Sequence, residues 1–265
     1  MYQFAYHRPA SLAEAEKLFS AADDPKFLGG GQTLIPTLKQ RLASPSDLID
    51  LGGLKDLAGI SVSGGVVTIG AATRHADVAA SAEVRKAIPA LADLAGWIGD
   101  PAVRHRGTIG GSIANADPSA DYPAAIVALN ATVHTSRRVI AADDFFTGMF
   151  ETALHTGEIV TKVAFPVPEK AGYEKFRNPA SRYAMVGVFV AKTASGVRVA
   201  VTGAGPSVFR QEAMEAALGK SFTPDAIAGI KVSPDGLNSD LHASAAYRAH
   251  LVTVMAKRAV ARAAG

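Results

Sequence analysis

Residues 26–36 read KFLGGGQTLIP, and this stretch is a strong indication of the fold, because its glycines must lie close to another group. Three adjacent glycines, residues 29–31, follow a short apolar run, and Thr33 can start a helix after them. Glycine loses more backbone entropy on ordering than any other residue, so a triplet indicates a close contact that excludes side chains. Bare N–H groups beside a helix start suit phosphate oxygens. A tight strand-to-helix turn, which needs glycine only for its dihedral angles, is the alternative.

A second glycine-rich segment, RGTIGGSIANADPSADYP, covers residues 106–123. It offers small residues, main-chain donors and hydroxyl groups at Thr108, Gly110, Gly111 and Ser112, and it adds polar side chains at Asn115, Asp117 and Asp121. A loop made of turn-forming residues has a similar composition, so this segment alone leaves both interpretations open. Two such loops in one α/β region indicate a dinucleotide site, with donors for the pyrophosphate and acceptors for ribose. The first loop has neither the Rossmann nor the Walker pattern.

Composition excludes several classes of function. The 265-residue chain is 48% hydrophobic and 19% charged, and its net charge of +3 comes from scattered bases, which argues against nucleic-acid binding. It has no cysteine, so it forms no disulfide, thiolate nucleophile or cysteine-ligated iron–sulfur cluster. No apolar run reaches transmembrane length, and the N-terminus does not resemble a signal peptide. We therefore expect a cytoplasmic protein, with peripheral membrane association left open.

No arrangement of side chains indicates a catalytic triad or a metal site. The histidines occur singly, without metal-ligand spacing, so we expect surface or internally satisfied side chains at His7, His75, His105, His134, His155, His242 and His250. No Gly-x-Ser-x-Gly motif is present. Arg104 and Arg106 precede the second loop, where they either meet phosphate or form a solvated or structural pair.

The pattern of elements predicts alternating helices and strands up to about residue 170. Ser11 caps the first helix, Thr73 is predicted to cap another, and Ser81 is predicted to start a long helix through Ile98. Residues 184–205 then read as two strands joined by a tight turn at 194–196, followed by helices to the C-terminus. This second region is predicted to form a small α+β unit.

The two loops together resemble the FAD-binding medium subunit of the xanthine dehydrogenase family of molybdenum hydroxylases, and especially that of aerobic carbon monoxide dehydrogenase. The resemblance is carried by FLGGGQTLIPTLKQRL (27–42) and GDPAVRHRGTIGGSIANADPSADYPAA (99–125). It continues through AADDFFTGMFETAL (141–154), YEKFRNPASRYAMVGVFVA (173–191) and SDLHASAAYRAHL (239–251). It therefore spans nearly the whole chain.

This resemblance implies an α+β fold with a two-subdomain FAD-binding domain of the vanillyl-alcohol-oxidase type at residues 1–172. The subdomains are expected at about 1–55 and 56–172, and a small C-terminal domain with an antiparallel sheet and helices at 173–265. The loops that would surround the FAD pyrophosphate are Gly29, Gly30, Gly31, Gln32, Thr33 and Leu34, and Thr108, Ile109, Gly110, Gly111 and Ser112, with Asn115 and Asp117 beside the second.

The resemblance also implies roles for single residues around the flavin. Asp121 would bind on the ribose or ribityl side, and Val160 would lie beside the flavin. Lys175 would lie near the isoalloxazine edge, where its charge favours the reduced, anionic form. Tyr183 would shield or gate one flavin face. Gln32 departs from the histidine or aspartate of some relatives without removing a main-chain donor.

As a member of this family the chain is expected to work within an assembly. Its partners would be a molybdenum–molybdopterin large subunit and a small subunit with [2Fe–2S] clusters, in a heterotrimer that is commonly doubled. The bound FAD would take electrons from those clusters and pass them to an external acceptor. The alternatives are a self-sufficient FAD-dependent oxidase or reductase of the same fold, and a non-catalytic nucleotide-binding module that serves assembly. The segment 133–146 is shorter than in many relatives, which affects docking rather than the cofactor.

Overall fold

The computed structural model describes residues 1–264, and its first sheet contains three parallel strands with the last of them in the centre. The elements of this part are β1 (Ala5–His7), α1 (Leu12–Ala21), β2 (Pro25–Leu28), α2 (Leu34–Lys39) and β3 (Asp47–Asp50), followed by 3₁₀ turns at Leu51–Gly53 and Lys55–Leu57. The carboxyl ends of parallel strands lie at one edge of a sheet, where open α/β sheets bind their ligands. The glycine loop leaves β2 at this edge.

The second sheet is antiparallel and has five strands, in the order β4-β5-β10-β6-β7. Helices fill the long connection between its second and third strands along the chain. The elements are β4 (Ile60–Ser63), β5 (Val66–Gly70), α3 (His75–Ala80), α4 (Ala82–Ala87), α5 (Pro89–Trp97), α6 (Pro101–Arg104), α7 (Ile109–Asn115), α8 (Tyr122–Ala128), β6 (Thr132–Thr135), β7 (Val139–Ala141), α9 (Ala142–Phe145), β8 (Phe146–Gly148), β9 (Glu151–Thr152) and β10 (Val160–Pro166). The second glycine loop therefore enters α7 from this helical connection.

The third sheet is an antiparallel meander of four strands covered by the C-terminal helices. Its elements are β11 (Lys170–Arg177), β12 (Ala184–Thr193), β13 (Gly196–Thr202), β14 (Phe209–Arg210), α10 (Glu212–Lys220), a 3₁₀ turn at Pro224–Ile227, and α11 (Ala245–Ala264). The hairpin predicted between β12 and β13 is confirmed, with Thr193 paired to Gly196.

Both faces of this third sheet are buried, which explains the uninterrupted apolar run of β12. Phe189 and Ala191 point to one core, which they share with α5, α8 and the five-stranded sheet. Val186, Val188 and Val190 belong to a second core under α10 and α11. Because successive strand residues point to opposite faces, β12 joins the two cores through a single strand.

Two helix starts differ from the sequence-based prediction. The helix expected from Ser81 to Ile98 is interrupted at Ile88, because Pro89 has no N–H group to continue it and starts α5 instead. Thr73 does not cap α3. Its hydroxyl donates to the carbonyl of Gly59 at 3.1 Å and accepts the Gly59 N–H, and so fastens the segment after β5 to the segment before β4.

The α+β class is confirmed, and the C-terminal part is an antiparallel sheet with helices as the resemblance implies. The domain boundary predicted between residues 172 and 173 falls inside β11, and the division of the chain at that point stays a prediction. Among residues 1–264, no helix combines the length and the apolar character that crossing a membrane requires.

Candidate functional site

A cavity of about 1150 Å³ lies at the carboxyl edge of the first sheet, between that sheet, the second glycine loop and the loop that joins β11 to β12. All the residues predicted for the site line this cavity except Ile109 and Lys175. The lining ones are Gly29, Gly30, Gly31, Gln32, Thr33, Leu34, Thr108, Gly110, Gly111, Ser112, Asn115, Asp117, Asp121, Val160 and Tyr183. The structure thus brings together residues from four separate parts of the chain.

The two glycine loops touch each other. A Cβ atom on Gly30 would lie 2.2 Å from the carbonyl oxygen of Arg106 and 2.6 Å from the Cα of Gly107. On the neighbouring Gly29 it would lie 3.3 Å from the hydroxyl of Thr108. Glycine is therefore required at residue 30 because the second loop occupies the space of a side chain.

The first loop retains unused main-chain donors. The N–H groups of Gly30, Gly31, Gln32 and Thr33 donate to no acceptor among residues 1–264, and all four residues line the cavity. The Gly31 carbonyl accepts the Ile35 N–H at 3.1 Å, so α2 begins directly behind them. This loop therefore offers a set of adjacent donors to a ligand in the cavity.

The main-chain donors of residues 109–112 in the second loop are used within the protein. Gly110 donates to the carbonyl of Ala71 at 2.8 Å and Ile109 donates to that of Thr73 at 3.1 Å. The Gly111 N–H donates to the hydroxyl oxygen of Thr108 at 3.2 Å. Ile109 itself is fully buried in the core. This loop therefore presents side-chain groups to the cavity, where the glycine pattern alone had suggested amides.

Asp121 is a buried carboxylate in the wall of the cavity. Its Oδ1 accepts a hydrogen bond from the Tyr173 hydroxyl at 2.5 Å and lies 2.8 Å from the ammonium of Lys175. No donor among residues 1–264 bonds to Oδ2, which leaves one oxygen as an acceptor for a ligand. Burial raises the pKa of Asp121, and the Lys175 charge and the Tyr173 hydrogen bond oppose that rise.

Lys175 lies behind Asp121 and outside the cavity lining. Its side chain is fully buried, and its ammonium also donates to the carbonyl of Trp97 at 3.0 Å. Both acceptors are fixed in the fold, so the charge is held one carboxylate away from the cavity. Its proposed proximity to the isoalloxazine edge stays a prediction.

Glu158, which the sequence did not single out, fixes the chain just before Val160. Its carboxylate accepts hydrogen bonds from the Arg138 guanidinium at 3.0 and 3.1 Å, the Thr135 hydroxyl at 2.6 Å and the His155 N–H at 2.8 Å. Burial by itself raises the pKa of Glu158, but these donors outweigh burial and lower it to about 2. Residues 155–160 are therefore held against the five-stranded sheet by an ionised carboxylate.

The two arginines that precede the second loop have different environments. Arg104 donates to the carbonyls of Ile98 at 3.0 Å and Gly99 at 3.2 Å, so it closes the turn after α5. Arg106 lines the cavity. The sequence left a phosphate contact and a solvated or structural pair open for both; Arg104 has a structural role, and a phosphate contact of Arg106 stays a prediction.

His75 is not the surface or satisfied histidine that the sequence predicted. It is 4% exposed, and its Nδ1 has no hydrogen-bond partner among residues 1–264. Burial and the nearby Arg104 lower the pKa of His75 to about 4, so the ring is neutral at pH 7. It lies under the second loop, because a Cβ on Gly107 would be 2.6 Å from its Nε2. No group of three or more potential metal ligands occurs within residues 1–264.

Comparison with known families assigns both parts of the chain. Residues 2–168 match the family model of the FAD binding domain in molybdopterin dehydrogenase. Residues 171–263 match that of the CO dehydrogenase flavoprotein C-terminal domain.

Individual relatives are similar over nearly their whole length. The carbon monoxide dehydrogenase medium chain of Hydrogenophaga pseudoflava is 35% identical, covering 97% of this chain and 96% of the relative. The nicotine 6-hydroxylase medium subunit of Paenarthrobacter nicotinovorans is 36% identical with the same coverage. Among solved structures, a chain of reconstituted CO dehydrogenase from Oligotropha carboxidovorans superimposes with a TM-score of 0.91 at 32% identity, covering 98% of this chain and 97% of that one.

Proposed function

Because the chain belongs to the family of FAD-binding medium subunits of molybdenum hydroxylases, we propose a specific way in which its cavity holds FAD. The observation that carries the proposal is the row of unused N–H groups from Gly30 to Thr33 along the cavity. Adjacent main-chain donors without side chains bind phosphate oxygens well. We assign the FAD pyrophosphate to this loop.

The second loop would complete the pyrophosphate site with side chains. Thr108, Ser112, Asn115 and Arg106 line the cavity, and their side chains carry hydroxyl, amide and guanidinium groups that can donate to phosphate. Hydrogen bonds from charged donors to phosphate are stronger than those from neutral donors. The loops would therefore act together, with main-chain groups on one side and side chains on the other.

Asp121 would hold a hydroxyl group of the ribityl or ribose part of FAD. Its Oδ2 is available, while Tyr173 and Lys175 hold Oδ1. A carboxylate accepts hydroxyl protons with charge-assisted hydrogen bonds. Lys175 would keep this carboxylate ionised and correctly oriented, and its charge would reach the flavin through Asp121.

The chain is the FAD subunit of an oxidoreductase complex, and bound FAD supplies its electron-transfer chemistry. The residues of the cavity bind and orient the cofactor, and none is needed as a nucleophile or general base. We propose that electrons arrive from [2Fe–2S] clusters of a partner subunit, because this chain has no cysteine to ligate a cluster. A heterotrimer with a molybdenum subunit and an iron–sulfur subunit, present twice, is the assembly we propose.

Substrate selection is assigned to the molybdenum subunit. Medium subunits of a carbon monoxide dehydrogenase and of a nicotine 6-hydroxylase are 35% and 36% identical to this chain, so sequence identity does not select between these two substrates. Carbon monoxide, an aldehyde, a purine and an N-heterocycle are all compatible with this module. The family assignment favours this function over a solitary flavoenzyme.

The first experiment compares FAD with riboflavin, which lacks both the pyrophosphate and the adenosine of the dinucleotide. The protein is purified with the subunits that accompany it, freed of flavin, and titrated calorimetrically. We expect FAD to bind at least about 100-fold more tightly than riboflavin, because only FAD uses the donors of residues 30–33. Equal affinity for the two ligands, or a protein that takes up no FAD, contradicts the proposed site.

A second experiment tests the assembly. Metal analysis of the purified complex is expected to find molybdenum and iron, while the isolated chain is expected to contain neither. A yellow protein that occurs alone in cell extracts and oxidises or reduces its own substrate would instead support the solitary flavoenzyme. A colourless chain without FAD would support the nucleotide-binding module.

A further inference from the structure

Tyr183 lies at the cavity, and its hydroxyl oxygen accepts a hydrogen bond from a residue outside the cavity lining. The residue lines the cavity, and its oxygen accepts a hydrogen bond from the Nδ2 of Asn178 at 3.0 Å. A tyrosine hydroxyl can accept and donate at the same time. Its own proton has no acceptor among residues 1–264.

The orientation of the Asn178 amide is fixed by the main chain. Its Oδ1 accepts the N–H of Ala180 at 2.9 Å and that of Ser181 at 3.4 Å. Only the oxygen of an amide can accept these protons, so the NH₂ group has to face Tyr183. A flipped amide would place NH₂ against two N–H donors. Asn178 therefore donates to the Tyr183 hydroxyl, and that hydroxyl cannot donate its own proton to Asn178.

The loop that carries both residues is closed on itself. Asn178 donates its N–H to the carbonyl of Tyr183 at 2.9 Å and accepts the Arg182 N–H at 3.0 Å. Asn178 is 4% exposed, so solvent does not compete for its amide. The distance between the two side chains is thus set by main-chain hydrogen bonds at both ends of the loop.

A second element supports the Tyr183 ring from the C-terminal region. The His242 ring meets it edge to face, with centroids 6.4 Å apart. The turn of His242 is held by Asp240, which accepts its N–H at 2.9 Å and also accepts from the Arg248 guanidinium at 2.7 Å. Arg248 is buried and donates to the carbonyl of Met185 at 2.6 Å. Tyr183 is therefore held both by its own loop and by α11.

We propose that Asn178 is a positioning residue that makes Tyr183 a hydrogen-bond donor to the dinucleotide in the cavity. The proposal rests on the proposed FAD site and states that in one contact of that site Tyr183 is the hydrogen-bond donor and FAD the acceptor. Asn178 does not touch the ligand; it occupies the acceptor side of the Tyr183 hydroxyl, so that the proton points to an acceptor on the cofactor. A neutral or acidic acceptor at residue 178 would take that proton away.

The test is a double-mutant cycle on FAD affinity with Asn178→Asp and Tyr183→Phe. A carboxylate at residue 178 still accepts the N–H groups of Ala180 and Ser181, but it also accepts the Tyr183 proton and reverses the hydrogen bond. Its negative charge repels the cofactor equally with and without the Tyr183 hydroxyl. We expect Tyr183→Phe to weaken FAD binding by about 2- to 10-fold, as the loss of one hydrogen bond does. Asn178→Asp should weaken it more in the wild-type background than in the Tyr183→Phe background.

Several outcomes would overturn the proposal. Unchanged FAD affinity in Tyr183→Phe would show that Tyr183 donates no hydrogen bond to FAD. An equal effect of Asn178→Asp in both backgrounds would show that Asn178 acts only through structure or charge. Tyr247→Phe, at an exposed tyrosine outside the cavity lining, is the matched control and should bind FAD normally. If Asn178→Asp does not fold, Asn178→Ala, which removes the donor to the Tyr183 hydroxyl, replaces it in the same cycle and should also weaken FAD binding more in the wild-type background than in the Tyr183→Phe background. Wild-type protein without FAD affinity refutes the proposed function, whereas wild-type affinity with an additive cycle refutes only this inference.

Discussion

Gly30 packs directly on the main chain of Arg106, with only 2.2 Å between the carbonyl oxygen of Arg106 and the position of a Cβ on Gly30. The glycine triplet of the first loop is therefore constrained by the second loop as well as by any ligand. The donors from Gly30 to Thr33 keep their place because this contact holds the loops together. We therefore expect Gly30 to be needed both for FAD binding and for the packing of the two loops.

Gly30→Ala is expected to separate the two loops. A methyl group cannot fit between main-chain atoms without a shift, so we expect FAD affinity to fall by more than about tenfold and the protein to lose about 1–3 kcal/mol of stability. Calorimetric FAD titration and thermal unfolding measure the two effects. Gly219→Ala, in α10 with nothing within 4 Å of the added Cβ, is the control and should leave both unchanged or slightly raise stability. Wild-type FAD affinity in Gly30→Ala would contradict the role of the loop contact.

Lys175→Met is expected to destabilise the protein in a pH-dependent manner. Removing the ammonium leaves Asp121 buried with only the Tyr173 hydrogen bond, which costs about 3–5 kcal/mol at neutral pH. The folded-state pKa of Asp121, already raised by burial, rises further above its unfolded value. A carboxyl group whose pKa is raised in the folded state stabilises that state below its unfolded pKa. This stabilisation is lost as the pH rises through the folded-state pKa. The stability deficit should therefore be larger at pH 8 than at pH 5 in urea unfolding.

The partner variant separates this effect from a loss of packing. Asp121→Asn combined with Lys175→Met removes the uncompensated carboxylate, so the pH dependence of the deficit should disappear. A deficit in Lys175→Met that stays constant from pH 5 to pH 8 would show that Asp121 does not depend on the Lys175 charge.

Lys175→Met is also expected to lower the reduction potential of bound FAD. The ammonium lies one carboxylate away from the cavity, and its positive charge stabilises the negative charge that reduction adds. Spectroelectrochemical titration of the folded variant at pH 8, where protonation of Asp121 offsets the loss of the ammonium least, measures the shift. Lys257→Met, in α11 and outside the cavity lining, is the control. Equal potentials in the wild type and in Lys175→Met would remove Lys175 from the flavin environment.

The meeting of the two glycine loops at one cavity could be predicted from the sequence, because both have small residues and donors beside a helix start. The burial of β12 could also be predicted from its apolar run. The use of the Gly110 and Ile109 donors could not, because their acceptors on Ala71 and Thr73 belong to a distant segment. Composition alone does not reveal which main-chain groups a fold consumes.

Charged residues were the least predictable part of the site. Lys175 is buried behind Asp121 instead of lining the cavity, because the pairing joins β11 to the start of α8, and its place near the isoalloxazine edge stays a prediction. His75 was expected to be satisfied or exposed, and its burial follows from the loop packed over it. The break at Pro89, in contrast, follows from proline chemistry that the sequence already contains.

Glu158→Gln is expected to remove an acid-labile part of the stability. The folded-state pKa of Glu158 is lowered from 4.5 to about 2, so its contribution is present above pH 4.5 and is lost as the pH falls towards 2. Arg138 is partly exposed, and solvent screening limits the effect to about 1–2 kcal/mol. Urea unfolding should give a difference between wild type and Glu158→Gln that is full at pH 6 and much smaller at pH 3. Glu83→Gln, at an exposed carboxylate, should show little difference at either pH.

Arg104 and Arg106 allow a comparison of two like charges that are close in sequence but have different partners. Arg106→Ala should weaken FAD binding by about 3- to 10-fold, and less at high salt, because it removes the positive charge of a residue that lines the cavity. Arg104→Ala should leave the affinity close to wild type and lower the melting temperature by a few degrees, because it frees the carbonyls of Ile98 and Gly99. Calorimetric FAD titration at two salt concentrations and thermal unfolding separate the two. The reverse result, with affinity lost in Arg104→Ala and retained in Arg106→Ala, would contradict the assignment of the phosphate contact to Arg106.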